Sequence, residues 1–455
     1  MRVTPHRWCV VWVVVALVAL AVPASAVASG WSDELLPVAP GAIVRDLDMN
    51  ARGDLLADWT TGADTAMTLG AVTRPAGGVF GTPRVYLAPR PASGLRPWPL
   101  ASQLSDAGAF VVGWGRNGSD QSYQTGLAGS ERLDGRPRLI RGPGGKDFDV
   151  DAALAPDGHV TPLWVEKLHG RYGLWTVGKS GRPQLVGQAP VGWIEGVLAA
   201  VADANGRVLV LLWVANLAES YPPTYHLEAM QRTVRGVWTA ARAVTPEYRY
   251  QIIPTAPGAA RFFAYKAVST VPGVGIDVLA GDANGQTITL SELRGDVRRG
   301  FGAPQPSVVF AGSASSSEYV NVHLSENAAG AALLTIARYA SLEGPIATAD
   351  VYARDGPGAF ATPTALAFTV AVNGPDAIPS VAPNGTMRLA ILDGTDVVVD
   401  TRTPGGAWAP EVVAHDATRS YLTVPSTSRS DERYAVAYES SAAADVQERA
   451  ALLEP

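Results

Sequence analysis

Short stretches in which apolar and polar residues alternate recur along this chain, each opened by a turn, and the period of two predicts strands. In three copies an aromatic stands six residues after the turn glycine: Gly53 to Trp59, Gly108 to Trp114 and Gly158 to Trp164. Gly206 to Trp213 and Gly258 to Tyr265 are one residue longer, while Gly330 and Gly385 open similar strands ending in Ile336 and Ile391. An eighth strand, Arg433 to Tyr438, follows a turn without glycine. Asp157-Gly158, Asn205-Gly206 and Asn384-Gly385 are pairs that tolerate the positive φ of a tight hairpin. The apolar strand after each turn is predicted to be the buried second strand of a repeated unit.

The seven glycines fall at intervals of 55, 50, 48, 52, 72 and 55 residues, a period that suits the blades of a propeller. A second signature follows in each unit, a glycine, a spacer and a large aromatic, often with a proline: Gly78-Val79-Phe80 with Pro83, Gly236-Val237-Trp238, Gly300-Phe301 with Pro304, Gly358-Ala359-Phe360 with Pro363, and Gly406-Ala407-Trp408 with Pro410. Proline there suits an edge strand, which lacks a neighbour on one side. Two anchors per unit with room for two more strands predict four-stranded antiparallel blades. The fold expected is all-β, a single β-propeller of about eight blades, with seven as the alternative. Gly30 to Pro37 reads as a second half without a first, and Tyr421 to Leu453 as a first half without a second. The amino-terminal strand is therefore expected to complete the last blade. The long interval between Gly258 and Gly330 is expected to hold an extra hairpin around Asp282-Ala283-Asn284-Gly285. No run predicts an amphipathic helix beyond about one turn.

The turn-plus-strand pattern in Ala155 to Trp164 and Val381 to Ile391 resembles the repeats of secreted bacterial propellers of the TolB-like and sialidase-like kinds. The resemblance covers nearly the whole chain after its first segment. It implies a fold rather than an activity, since such folds host unrelated functions.

The first residues change the picture of where the protein works. Arg2, His6 and Arg7 precede an unbroken apolar run from Trp8 to Val22, followed by the small residues Ala24-Ser25-Ala26. This is the pattern of a signal peptide, residues 1–26, leaving a propeller domain over 27–455. The apolar run is about 15 residues, below the roughly 20 that span hydrocarbon as a helix, so no membrane anchor is expected after cleavage. The one cysteine, Cys9, lies inside this run, so the mature chain has no disulfide, and the export signal without sulfur points to a bacterial cell and to release outside it. Removing Arg2 and Arg7 takes the net charge from −6 to −8, which disfavours nucleic acid. A monomer is expected.

Several motifs are weighed against turn chemistry. Gly173 to Ser180 matches the phosphate-loop pattern, but Leu174 to Val177 is strand-like and Gly178 to Gly181 reads as a hairpin turn, where a phosphate loop needs a helix to follow. Two Arg-Gly-Asp tripeptides, at 52–54 and 294–296, are both expected in turns. The five histidines left after cleavage lack the spacing of a zinc pair, and neither a metal nor a cofactor is expected. An aspartate-box echo at Asp157 to Trp164 lacks its serine and carries no catalytic residue with it.

One constellation remains. The segments leading into the blades carry acids and aromatics at comparable places: Asp46, Trp98, Asp149, Trp193, Glu195, Tyr248, Tyr319, Asp376 and Tyr421. In a closed ring these converge on one mouth, where aromatic platforms beside carboxylates suit sugar rings. The plainer reading is that the aromatics pack between blades and the acids cap turns. The function expected is non-catalytic binding of a glycan or of an envelope or extracellular protein. A glycan-acting hydrolase or lyase using these acids is the alternative, and a purely structural ring a third.

Overall fold

At six of the predicted turns the backbone makes the same hairpin. The amides of Gly53, Gly108, Gly158, Gly206, Gly330 and Gly385 each donate to the carbonyl three residues back, and each glycine has a φ between +77° and +90°. A type I turn followed by one left-handed residue is the three-residue connection that returns a strand antiparallel, and glycine is the residue that adopts that φ without strain. The strand on either side is thereby fixed in register.

The computed structural model describes residues 30–454 except 63–67, 88–96, 117–120, 128–132, 141–149, 179, 189–193, 217–223, 250, 257–258, 264, 285–286, 312–318, 340–345, 368–376, 425–432 and 441–446. Among the described residues there is no helix, and the strands form six four-stranded, two five-stranded and one two-stranded antiparallel sheets. Numbered along the chain, sheets 1 to 8 span 43–87, 97–140, 150–188, 194–249, 265–311, 319–367, 378–414 and 417–453. The first three strands of each pair in chain order, and in sheets 4 and 5 two further strands both pair with the third, so the strands that follow Pro83, Pro304 and Pro363 are outer ones. Trp31–Leu35 joins sheet 8 as its outermost strand, pairing Trp31 with Leu453 and Leu35 with Arg449, as the split of the repeat predicts.

Apolar side chains from both faces of each sheet pack against its neighbours, so the core is divided into layers. Sheets 2 and 3 share Val111, Leu154, Trp164 and Trp175; sheets 3 and 4 share Leu163, Leu174, Val210 and Met230. The repeated aromatic of the second strand lies in this buried zone: Trp59 and Trp164 are almost fully buried. Trp59 lies opposite Gly70, whose missing side chain leaves room for the indole ring.

Polar ties repeat between sheets as well. The residue two before a first turn reaches the next sheet: Asp48 accepts from the Leu104 amide (2.6 Å), Gln103 from Leu154 (3.1 Å), Ser269 from Glu326 (2.9 Å) and Ser325 from Val381 (3.0 Å). Asn50 and Asn327 do the same from the turn itself, each donating its side-chain amide to a carbonyl of the next sheet's turn. These bonds satisfy backbone groups that strand pairing leaves over.

Three expectations are corrected. Gly258 does not open a blade: Gln251–Ala256 and Ala259–Phe263 pair only with each other, as a separate hairpin before sheet 5. Sheet 5 is opened by Val271-Pro272-Gly273-Val274, and the segment around Asp282 joins its second and third strands instead of forming an insertion. Proline then glycine at the two corners gives a turn as good as Asp-Gly, so spacing alone pointed to the wrong glycine. The second Arg-Gly-Asp, 294–296, lies in strand Thr287–Asp296, where the ring of Phe301 covers Gly295. The first does form a turn, with Arg52 donating to Asp54. The phosphate-loop match is a hairpin, Arg171–Val177 pairing with Pro183–Gln188 around Gly178–Gly181.

Candidate functional site

Sheets 5 and 6 part at the end where their first hairpins turn, leaving a cleft of about 230 Å³. Its walls include Val274, Ile276 and Pro357, and its polar groups Asp277, Arg294 and Glu326. Strand register places these groups. Asp277 and Arg294 are directly opposite on neighbouring strands of sheet 5. In sheet 6, Glu326 and Arg354 flank Ala332 on either side, and its small side chain lets the two reach each other across it.

Arg354 is the hub. Its guanidinium lies 2.7 Å from a carboxylate oxygen of Glu292, 2.7 Å from Glu326 and 3.5 Å from Asp277, donates to the Gly330 carbonyl, and stacks over the Phe360 ring at 4.6 Å. Arg294 adds bonds to Glu292 at 2.8 Å and to Glu326 at 3.4 Å, while staying 41% exposed at the cleft. The two cations therefore serve Glu292 twice and Asp277 once, at a distance too long for a good hydrogen bond. Asp277 Oδ1 is buried with no hydrogen-bond partner. Burial raises the Glu326 carboxyl to about 7 against the pull of Arg354. For Glu292, burial acts upward too, but the bonds from Arg354 and Arg294 outweigh it and hold the carboxyl below its ordinary value. With all three ionised, three carboxylates facing two guanidiniums carry one excess negative charge.

Ligating oxygens of Asp277, Glu292 and Glu326 lie within 4.8 Å of one another, the spacing of a cation site. Arg354 already supplies the positive charge among them, so these residues fit a guanidinium better than an ion.

Arg354 belongs to a repeat that the Gly-x-aromatic signature only half displays. Arg74, Arg232, Arg354 and Arg402 each end the third strand of a sheet, each four residues before the glycine and six before the aromatic. Every one reaches a neighbouring sheet: Arg74 to Glu34 and Glu454 at sheet 8, Arg232 to Thr161, Arg354 to sheet 5, and Arg402 to Asp355. Arg74 lies over Phe80 as Arg354 lies over Phe360. The identical spacing was present in the sequence and is the signal by which this site was findable.

The residues predicted at the strand starts meet differing fates. Asp149, Trp193 and Asp376 lie outside the described residues. Trp98, Glu195, Tyr319 and Tyr421 fall on the first strands of sheets 2, 4, 6 and 8, where the backbone alone is described. Tyr248 is not on a first strand: it pairs with Thr224–Arg232 from the outside, is buried, and packs on Tyr225 with ring centroids 5.7 Å apart. It is a core residue between sheets 4 and 5, as its neighbours Leu227 and Ile276 show.

Asp46 lies in the first strand of sheet 1 and faces Asp58 across the pair. Asp58 is fully buried and accepts from the Tyr86 hydroxyl at 2.6 Å. Burial, then the charges of Asp48 and Asp58, push the Asp46 carboxyl well above its ordinary value. Burial also lifts Asp58 to about 7, more than its bonds from Tyr86 and the Trp59 backbone lower it. This pair sits between sheets 1 and 2 and is separate from the cleft.

No family model matches the chain, and no curated protein sequence does. Solved structures of propeller-like form do match over most of its length. Prolyl oligopeptidase B from Galerina marginata aligns at 12% identity over 90% of this chain and 54% of its own, with a TM-score of 0.46. A polysaccharide lyase acting on ulvan aligns at 9% identity over 91% and 95%, with a TM-score of 0.42. The fucose-specific lectin from Aleuria aurantia aligns at 10% over 70% and 95%, with a TM-score of 0.35. The chain spans about half the length of the prolyl oligopeptidase and of a puromycin hydrolase that it also matches. The sheets themselves make this an all-β chain of repeated four-stranded antiparallel units, with no specific family attached.

Proposed function

We propose that the chain is an exported, non-catalytic β-propeller of eight blades that binds a glycan in the cleft between sheets 5 and 6. Closure of the ring is supported by the apolar layer in which Leu47, Leu55 and Val72 of sheet 1 pack on Ala435, Ala450 and Leu452 of sheet 8. Export rests on residues 1–26, which lie outside the described residues, and on a mature chain without cysteine. The observation that carries the binding reading is the buried, unpartnered Asp277 Oδ1 at the wall of an open cleft, beside a half-exposed guanidinium. A carboxylate oxygen out of water without a donor is costly, and a ligand hydroxyl would supply one. Arg294 offers donors to a neighbouring ligand oxygen, and Val274, Ile276 and Pro357 offer the apolar wall that the C–H face of a sugar ring takes. Catalysis by these acids is disfavoured because Arg354 holds Glu292 and Glu326 in fixed ion pairs.

A glycan array probed with the mature chain tests this. Retention of defined glycans by the wild type, lost in Asp277→Asn, is expected. An array on which nothing is retained would overturn it.

A further inference from the structure

The charge balance of the cleft says more about its ligand than the presence of an acceptor does. Asp277, Glu292 and Glu326 bring three carboxylates to one place, and Arg354 and Arg294 bring two guanidiniums. Glu292 is bound by both cations and Glu326 by both, whereas Asp277 is touched only by Arg354, at 3.5 Å. The uncompensated charge is thus concentrated on the residue whose second oxygen has no partner. Asp277 is 5% exposed and is one of the residues that line the cleft.

A neutral hydroxyl would satisfy the hydrogen bond at Oδ1 but leave the charge. A primary ammonium satisfies both, and charge-assisted bonds are about twice as strong as neutral ones. The cleft is smaller than the roughly 300 Å³ of a drug-sized pocket, so it suits one ring or one side chain. We propose that the cleft takes the free ammonium group of an amino sugar, with Asp277 Oδ1 accepting from it and Arg294 donating to an oxygen on the adjacent carbon. This rests on the glycan reading above and narrows it to unacetylated amino sugars.

The test is calorimetric titration of the whole mature chain with D-glucosamine, N-acetylglucosamine, glucose and Nα-acetyl-lysine amide at neutral pH. Glucosamine is expected to bind roughly tenfold or more tightly than glucose or N-acetylglucosamine, since a charge-assisted bond is exchanged for a neutral one or none. In Asp277→Asn that preference should vanish, with thermal unfolding checked to show that the variant folds. The wild-type comparison decides the matter even if the variant does not fold. Equal affinity for glucose and glucosamine would overturn the ammonium assignment while leaving the glycan reading intact. Binding of no sugar would overturn both, and tighter binding of the lysine amide than of glucosamine would overturn the amino-sugar source.

Discussion

Replacing Asp58 by Asn should stabilise the protein, and more so as pH rises. Asp58 is fully buried and faces Asp46 across the first strand pair of sheet 1. Its carboxyl is lifted from an ordinary 3.8 to about 7, chiefly by burial. A raised pKa means that the folded state holds the proton more firmly than the unfolded chain does. The contribution is therefore fully favourable below pH 3.8 and is lost as pH rises to about 7, at roughly 1.4 kcal/mol per pH unit. Across the whole window the loss is about 4 kcal/mol. Asn keeps an acceptor at Oδ1 for the Tyr86 hydroxyl, now 2.6 Å away, and its amide can donate to Asp46. The variant escapes the titration, so its advantage over wild type should grow by about 2–3 kcal/mol between pH 5 and pH 8. For about 400 folded residues the unfolding entropy is near 0.85 kcal/mol/K, so this is a widening of the Tm difference by about 3 °C. Thermal unfolding of both proteins at pH 5, 6.5 and 8 and constant ionic strength measures it. A Tm difference that is flat or shrinks with pH would refute the reasoning, because Asp46, relieved of the Asp58 charge, shifts the difference in the same direction and groups farther away titrate alike in both proteins.

Arg354→Met should cost about 3–5 kcal/mol by leaving Asp277, Glu292 and Glu326 buried without their shared cation, read by denaturant unfolding; adding Glu292→Gln and Glu326→Gln should recover part of it. Gly295→Ala should destabilise by about 1–3 kcal/mol, since the new methyl would stand 2.6 Å from the Phe301 ring; a Tm equal to wild type would contradict the packing described. Deleting Trp31–Leu35 removes the outer pairing partner of Gln447–Leu453 and should make the elution volume more concentration-dependent than that of the wild type, because the bared edge strand recruits other chains.

How much of this was legible in the sequence depended on whether a residue's role is local. Turn glycines with a fixed φ and prolines before outer strands act through their own backbone, and both signatures led directly to strands and sheets. The split last sheet was legible for the same reason, since each chain end carried a complementary half of the repeat. Gly258 misled because a Pro-Gly corner fourteen residues on performs the same turn. Tyr248 misled because an aromatic on an outer strand and one at a strand start look alike until pairing is known. The cleft needed register: Asp277, Arg294, Glu326 and Arg354 are spread over 78 residues and meet only through cross-strand pairing. The arginine four before each Gly-x-aromatic was visible, but its purpose, reaching to a neighbouring sheet, is a tertiary fact.

The amino-terminal strand has a bearing on the order of events when the chain is made. Asp33 binds Arg449 across 416 residues of sequence, and the first strand to leave the ribosome finds its partner only when nearly the last one arrives. Holding the ends of so long a segment together costs about 5 kcal/mol of chain entropy, to be met by a five-residue pairing and the ties of Asp33 to Tyr438, Glu34 to Arg74 and Trp31 to Glu411. The last sheet therefore stays one strand short until nearly the whole chain is made, and its clasp is the final piece of order the molecule acquires.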